Sequence, residues 1–139
     1  MSGAAPHTTR IRVRGYHLDL YGHVNNARYL EFLEEARWGF IESARGLEWW
    51  HDQGLGFVVA SITINYRKPA GLGTDLEIRS AVARLGGRSA VIHQDVVDTG
   101  SGELVADADV TFVVVSLETG RPVALAGELR AALGGKDAP

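Results

Sequence analysis

The sequence predicts an α+β fold in which an antiparallel sheet wraps around one long helix. The chain of 139 residues has a single long stretch of helical periodicity, at residues 26–45. Four β-rich stretches follow it, joined by short connections that contain glycine or proline. One helix followed by consecutive strands is typical of an α+β layer. We assign residues 10–134 to one domain, residues 1–9 to a disordered N-terminal tail and residues 135–139 to a C-terminal tail.

The first structured element is predicted to be a strand. Residues 10–17 alternate, with Ile11 and Val13 pointing one way and three arginines pointing the other way. A period of two is typical of a half-buried strand. The loop that follows has no helical period, although it contains an acid, a glycine and histidines.

The stretch at residues 26–45 has the pattern of an amphipathic helix. Apolar side chains recur at steps of three and four from Tyr29 to Ala44 and form one broad face. Asn25 is suited to the N-cap, because its side-chain oxygen can accept a hydrogen bond from a first-turn N–H group. Gly46 is suited to the position just after the helix.

The second half of the chain is predicted to be β-rich. β-branched residues and alternation indicate strands, Pro69 ends the first of them, and Gly86 and Gly87 form a hairpin turn. The predicted strands are residues 57–67, 74–85, 89–98 and 103–117, followed by an extended segment at 122–125 and a short helix at 127–133.

Composition excludes several classes of function. A net charge of -3 gives no basic excess for nucleic-acid binding. No cysteine is present, so disulfides, thiolate metal sites and a cysteine nucleophile are excluded. The apolar runs are too short for a signal peptide or a bilayer span, so we expect no membrane insertion. Metal-binding, phosphate-loop and serine-hydrolase motifs are also missing.

Asp19 lies a few residues before the predicted start of the helix. Free N–H groups and the positive end of the helix dipole gather at such a start and favour negative charge. A carbonyl oxygen bound there would be stabilised as an oxyanion. A carboxylate facing such a site suits acyl transfer without serine or cysteine. The simpler interpretation is that Asp19 only stabilises the dipole, which is worth about 0.3–1 kcal/mol.

A known family has the same motif. Residues 19–38 read D-L-Y-G-H-V-N-N-A-R-Y-L-E-F-L-E-E-A-R-W. This block resembles the hotdog-fold acyl-CoA thioesterases of the 4-hydroxybenzoyl-CoA thioesterase-like branch, and most of all the long-chain acyl-CoA thioesterase III group (FadM type). Three further segments resemble that group in the same order, R-V-R-G-Y-H-L-D, F-V-V-A-S-I-T-I-N-Y-R-K-P-A and V-A-D-A-D-V-T-F-V. The resemblance covers most of residues 10–133 and implies the hotdog fold.

The resemblance implies roles for the loop residues. Asp19 is the catalytic carboxylate, acting either as nucleophile on the thioester carbonyl or as general base for water. Asn26, seven residues later, donates its backbone N–H to the oxyanion. His23 either orients water or contacts the thioester, or it is a structural loop residue. Gly22 provides close backbone approach or a positive φ. Asn25 and Asn26 stand where some branches have a second histidine, which places the chemistry on Asp19.

The remaining candidates concern substrate binding. Aromatic and apolar side chains either line the acyl pocket or pack in the core, and they are Tyr29, Trp50, Phe57 and Val59. Basic side chains either hold the phosphates of CoA or are simply solvated. These are Arg67, Lys68 and Arg88.

Taken together, the sequence is identified as a member of a family of cytoplasmic acyl-CoA thioesterases. The expected reaction converts long-chain fatty acyl-CoA to CoA and a free acid, without a cofactor. We expect a homodimer or homotetramer with the sites at the subunit interface, because hotdog sheets usually pair at their edges. Two alternatives stay open. One is a thioesterase for acyl groups on a carrier protein, as in polyketide synthesis, and the other is a non-hydrolytic acyl-CoA binding module.

Overall fold

The computed structural model describes residues 6–134, which divide into two compact units. The first unit contains most of the long helix and the loop before it. The second contains the end of that helix and the C-terminal region. Within the described residues the first unit comprises residues 6–40, 64–81 and 93–108, and the second comprises residues 41–63, 82–92 and 109–134.

The secondary structure follows the predicted order of one long helix and then consecutive strands. The elements are β1 (His7–Arg12), a 3₁₀ turn (Gly15–His17), α1 (Asn26–Arg45), α2 (Leu47–Asp52), β2 (Leu55–Tyr66), β3 (Asp75–Leu85), β4 (Ser89–Asp98), β5 (Leu104–Ser116) and α3 (Gly127–Ala132). The five strands form one antiparallel sheet in the order β1-β3-β4-β5-β2, so β1 and β2 are its edges. The α+β prediction is confirmed.

Helix α1 has the predicted boundaries, and both caps are formed as expected. The Asn25 side-chain oxygen accepts a hydrogen bond from the Ala27 N–H at 2.9 Å. At the other end, Gly46 has a φ of 78°, and its N–H donates to the Glu42 carbonyl at 2.8 Å. A positive φ is inexpensive only for glycine, which is why the helix ends here.

In the first unit, α1 is attached to the sheet by apolar packing and by a buried amide. Leu33 and the strand residue Leu76 are fully buried. Gln94 on β4 donates its side-chain amide to the Leu33 carbonyl and to Ser80 Oγ, both at 3.0 Å. Its amide oxygen accepts a hydrogen bond from Arg37 at 3.1 Å. These contacts set the position of the helix from which the site is built.

In the second unit, aromatic side chains form the core. Trp50 is buried, and its indole N–H donates to the Ile41 carbonyl at 3.1 Å. Its ring centroid lies 4.9 Å from that of Phe57, which in turn lies 5.7 Å from Phe112. Each of these contacts has the edge-on or tilted geometry that aromatic pairs prefer.

The structure differs from the sequence prediction near the N-terminus. β1 begins at His7, so residues 7–9, which were predicted to belong to the tail, are part of the sheet. The strand also ends at Arg12 instead of continuing to residue 17. Its pairing partner β3, with His7 opposite Ser80, lies far along the chain and cannot be inferred from local pattern. Residues 1–5 and 135–139, which include the predicted C-terminal tail, lie outside the described residues.

The connection after α1 also differs from the prediction. Residues 46–55 lie between the predicted helix and the first predicted strand after it, where no further element was predicted, but most of them form α2. No helix within residues 6–134 is long and apolar enough to cross a membrane.

Candidate active site

The loop before α1 folds back on itself and places Asp19 at its base. Leu18 and Val24 form an isolated antiparallel bridge. Inside it, the Asp19 N–H donates to the His23 carbonyl at 2.8 Å, and the Gly22 N–H donates to the Asp19 carbonyl at 3.1 Å. Gly22 has a φ of 76°, and a Cβ there would meet no atom within 4 Å. Glycine is therefore needed at this position for its backbone conformation and not for close approach.

The Asp19 carboxylate is anchored through one of its two oxygens. Oδ1 accepts hydrogen bonds from the backbone N–H groups of Tyr21, at 2.9 Å, and His23, at 3.2 Å. Within the described part of the chain, no group donates a hydrogen bond to Oδ2. The carboxylate is thus held in one orientation with one oxygen available for chemistry.

A pocket of about 280 Å³ lies beside this carboxylate in the first unit. All of the predicted catalytic residues line it, together with several of the predicted binding residues. The full lining is Asp19, His23, Val24, Asn26, Tyr29, Tyr66, Arg67, Lys68 and Pro69. Residues that the sequence places up to about fifty positions apart therefore meet in one concave site, which is the usual form of a ligand site.

Asn26 brings the start of α1 to the same pocket. It is the first residue of the helix, so its N–H has no carbonyl one turn earlier to donate to. No other acceptor for it is found among residues 6–134. An unsatisfied N–H and an oriented carboxylate in one pocket can polarise a carbonyl oxygen and supply a nucleophile or base to its carbon.

Tyr29 lies under the pocket as a protonated phenol. The side chain is 3% exposed, and its hydroxyl has no hydrogen-bond partner among the described residues. Burial, followed by the electrostatic effect of Tyr66, raises the pKa of Tyr29 to about 12. Tyr29 can therefore contact substrate, but it is not a base at neutral pH.

The basic residues at the pocket are already engaged by acids. Arg67 donates its Nε–H to Asp107 Oδ2 at 2.9 Å, and Asn65 donates to the other oxygen at 2.9 Å. These two hydrogen bonds hold the pKa of Asp107 below its usual range. Lys68 is paired with Glu103. Among residues 6–134, the guanidinium of Arg67 is hydrogen-bonded through Nε alone, so its terminal nitrogens remain suited to an anion.

Other predicted binding residues do not line this pocket. Trp50 and Phe57 belong to the aromatic core of the second unit. Val59 is 41% exposed on the edge strand β2. Arg88 is exposed in the turn between β3 and β4.

Two residues at the site were missed by sequence reasoning. Tyr66 is the last residue of β2 and lines the pocket, and its hydroxyl donates to the Asn26 carbonyl at 3.1 Å. His17 is buried behind the loop, where its Nδ1 accepts a hydrogen bond from the Arg14 N–H at 2.8 Å. Its own carbonyl accepts from the Asn25 N–H at 2.9 Å. The available signal was the position of both residues at or near the ends of predicted strands. Tyr66 contacts a residue 40 positions away, and the His17 carbonyl is paired with Asn25 across the loop, although the contact of His17 with Arg14 is local.

No group of three or more acidic, histidine or cysteine side chains suited to a metal is found among residues 6–134.

Known proteins resemble this chain over nearly its whole length. A family model described as the thioesterase-like superfamily matches residues 13–133. The long-chain acyl-CoA thioesterase FadM of Escherichia coli (strain K12) is 50% identical over 122 residues, which are 88% of this chain and 92% of that protein. The crystal structure of YbaW, a probable thioesterase from Escherichia coli, has a TM-score of 0.84 at 50% identity, covering 91% of this chain and 95% of the other. A protein from Pseudomonas aeruginosa strain PAO1 has a TM-score of 0.83 at 31% identity, covering 94% and 90%. These similarities confirm the predicted hotdog fold.

Proposed function

Because this chain belongs to the thioesterase-like superfamily, we propose that it hydrolyses acyl-CoA thioesters, with long-chain fatty acyl-CoA as the preferred substrate. The observation on which the proposal rests is the pocket that is lined both by Asp19 and by Asn26, the first residue of α1. The substrate class is supported by the 50% identity to a long-chain acyl-CoA thioesterase.

The geometry supports hydrolysis at the thioester carbonyl. The carbonyl oxygen would accept the Asn26 N–H, which stabilises the negative charge that develops there. Asp19 Oδ2 would then either attack the carbonyl carbon or remove a proton from an attacking water molecule. In both routes the carbon–sulfur bond breaks, and CoA leaves as thiolate and is protonated. The second oxygen of the acid comes from water when Asp19 is a general base. When Asp19 is the nucleophile, that oxygen comes from water or from Asp19, according to which carbon of the resulting anhydride the water attacks.

The two routes differ in whether the oxygen of water can be incorporated into the enzyme or only into the product acid. Attack by Asp19 forms a mixed anhydride between enzyme and acyl group. Water that attacks this anhydride at the aspartyl carbon leaves its oxygen in the protein, whereas a general base leaves none. A single turnover in ¹⁸O-water followed by mass spectrometry of the Asp19 peptide therefore tests for the nucleophilic route.

The proposed binding residues act around this centre. We assign Arg67 to the phosphates of CoA, since its guanidinium is fixed by Asp107 while its terminal nitrogens have no hydrogen-bond partner within the described part of the chain. Lys68 would have to leave Glu103 to join it. His23 lines the pocket and is our candidate for orienting water.

A second copy of the chain is part of the proposal. β2 is an edge strand of 12 residues, and most of it is exposed. Such an edge presents unpaired N–H and carbonyl groups that native proteins cover. We infer a dimer that pairs at this edge, with the acyl site at the subunit interface.

The decisive experiment measures thiol release from acyl-CoAs of increasing chain length and from one aromatic acyl-CoA, with wild type and Asp19→Asn side by side. Asparagine keeps an oxygen that can accept from Tyr21 and His23, but it removes the charge. We expect release to peak at long chains, and turnover of Asp19→Asn to fall by about 10²–10⁴-fold. Asp52→Asn is the matched control, because Asp52 is exposed in α2 and outside the site.

Each result has a distinct meaning. Near-normal turnover of Asp19→Asn would refute the catalytic role of Asp19. Tight binding of acyl-CoA without thiol release would indicate the binding module. Release only from acyl carrier protein would indicate the carrier-protein enzyme.

A further inference from the structure

We propose that Tyr66 is a positioning residue that holds the oxyanion site in place. The inference rests on the proposed function, in which the Asn26 N–H binds the carbonyl oxygen. Tyr66 lines the pocket together with Asp19 and Asn26. Its hydroxyl donates a hydrogen bond to the Asn26 carbonyl at 3.1 Å, although the two residues are 40 positions apart in the sequence.

The first turn of a helix needs such an anchor. Its N–H groups lack helical partners, and helix ends fray. On one side of Asn26, the helix cap holds the Ala27 N–H on the Asn25 side chain. On the other side, the contact from Tyr66 ties the carbonyl of Asn26 itself to the end of β2. Removing the Tyr66 contact would let the Asn26 N–H move relative to the anchored Asp19.

Tyr66 is itself held firmly enough to act as an anchor. The next two residues in the chain, Arg67 and Lys68, both donate their N–H groups to the Val105 carbonyl, at 2.8 and 3.1 Å. The Tyr66 ring lies 5.7 Å from the ring of Tyr29, which is buried. The strand end and the ring contact both stay in place when only the hydroxyl is removed, so phenylalanine isolates the effect of the hydrogen bond.

The scale of the effect follows from the geometry. Misplacement of a catalytic group by about 1 Å can lower the rate by about 10²-fold. The helix cap and the hydrogen bond from the Asn25 N–H to the His17 carbonyl remain and limit the displacement. We therefore expect kcat of Tyr66→Phe to fall by about tenfold while KM rises by no more than several-fold. Tyr66 is 45% exposed, so loss of its hydroxyl should leave the melting temperature close to that of wild type.

Two substrate analogues separate positioning from general binding. A ketone analogue, with a methylene group in place of sulfur, keeps the carbonyl oxygen that Asn26 would bind. A thioether analogue lacks that oxygen. Tyr66→Phe should weaken binding of the ketone by several-fold and leave binding of the thioether unchanged. The ratio of the two affinities is measured on one protein sample, so a partly unfolded sample does not alter it.

Tyr16→Phe is the matched control. It also removes one phenolic hydroxyl, but Tyr16 is 69% exposed and lies outside the pocket. Its kcat and both affinities should equal those of wild type.

The possible outcomes separate the positioning role of Tyr66 from the proposed thioester hydrolysis. Unchanged kcat in Tyr66→Phe, or equal weakening of ketone and thioether, would refute the positioning role and leave thioester hydrolysis intact. Absence of hydrolysis by the wild-type protein would overturn the proposed function and, with it, this role of Tyr66.

Discussion

Gln94 should be among the most sensitive polar positions in the chain, and Gln94→Leu tests this. The side chain is fully buried under α1. It donates to the Leu33 carbonyl and to Ser80, and it accepts from Arg37. Leucine has a similar size and fills the site, but it can make none of these hydrogen bonds.

The magnitude follows from what each partner loses. The Leu33 carbonyl lies inside α1 and keeps its helical hydrogen bond. Ser80 and Arg37 are left without this partner, at about 1–3 kcal/mol for each unsatisfied buried group. The more apolar leucine offsets roughly 1 kcal/mol. We expect a net loss of about 2–3 kcal/mol, which lowers the melting temperature by about 6–10 °C in a chain of this length.

Urea unfolding followed by tryptophan fluorescence measures this loss. Gln53→Leu is the control, because Gln53 is exposed after α2 and its replacement should stay within about 0.5 kcal/mol of wild type. In Gln94→Leu the buried Ser80 hydroxyl has lost its partner, and adding Ser80→Ala removes that hydroxyl. The loss of stability in the double variant should therefore be smaller than the sum of the two single losses, by about 1 kcal/mol. Wild-type stability of Gln94→Leu, or simple additivity, would refute the reasoning.

Three further predictions concern the loop and the second unit. Gly22→Ala should cost about 1–2 kcal/mol in urea unfolding from backbone strain alone, because its Cβ meets no atom; unchanged stability would mean that the turn relaxes. Burial, followed by the charge of Arg28, lowers the pKa of His17 from its usual 6.5. As the pH falls, the unfolded state therefore takes up a proton on His17 before the folded state does. The stability that neutral His17 contributes to the folded state is complete above pH 6.5 and is lost as pH falls through the folded pKa. The stability gap between wild type and His17→Gln should therefore be smaller at about pH 5 than at about pH 7.5, and an equal gap would contradict the assignment. Trp50→Phe should lower stability by about 1 kcal/mol through the lost hydrogen bond to Ile41. The chain-length profile of the same variant tests whether Trp50 also lines the acyl pocket, since a shifted optimum supports contact with the acyl chain and an unchanged one supports core packing alone.

Local pattern was sufficient for α1 and for most of the sheet. The boundaries of α1 and its caps follow from apolar spacing, Asn25 and Gly46, because capping is decided by neighbours within one turn. The strand β4 also has its predicted boundaries. By contrast, the sequence did not indicate that β1 begins at His7, since that strand is completed by pairing with β3.

The residues of the candidate site also fall into those that a local motif indicates and those that depend on distant contacts. Asp19, Gly22 and Asn26 were recognised because they belong to one continuous motif, and the structure brings Asp19 and Asn26 to one pocket. Tyr66 was not recognised, because its role depends on a contact with a residue 40 positions away. The same holds for Asp107, which pairs with Arg67 across two strands.

The sequence by itself determined the family, the long helix and the loop that contains the carboxylate, because each of these depends on residues close together in the chain. Only the tertiary structure decided which oxygen of Asp19 is anchored, which strand end reaches the start of α1, and that Trp50 packs against Phe57 within the second unit. Hydrogen bonds and packing between distant segments depend on strand order and register, and in this chain those are set by the whole sheet.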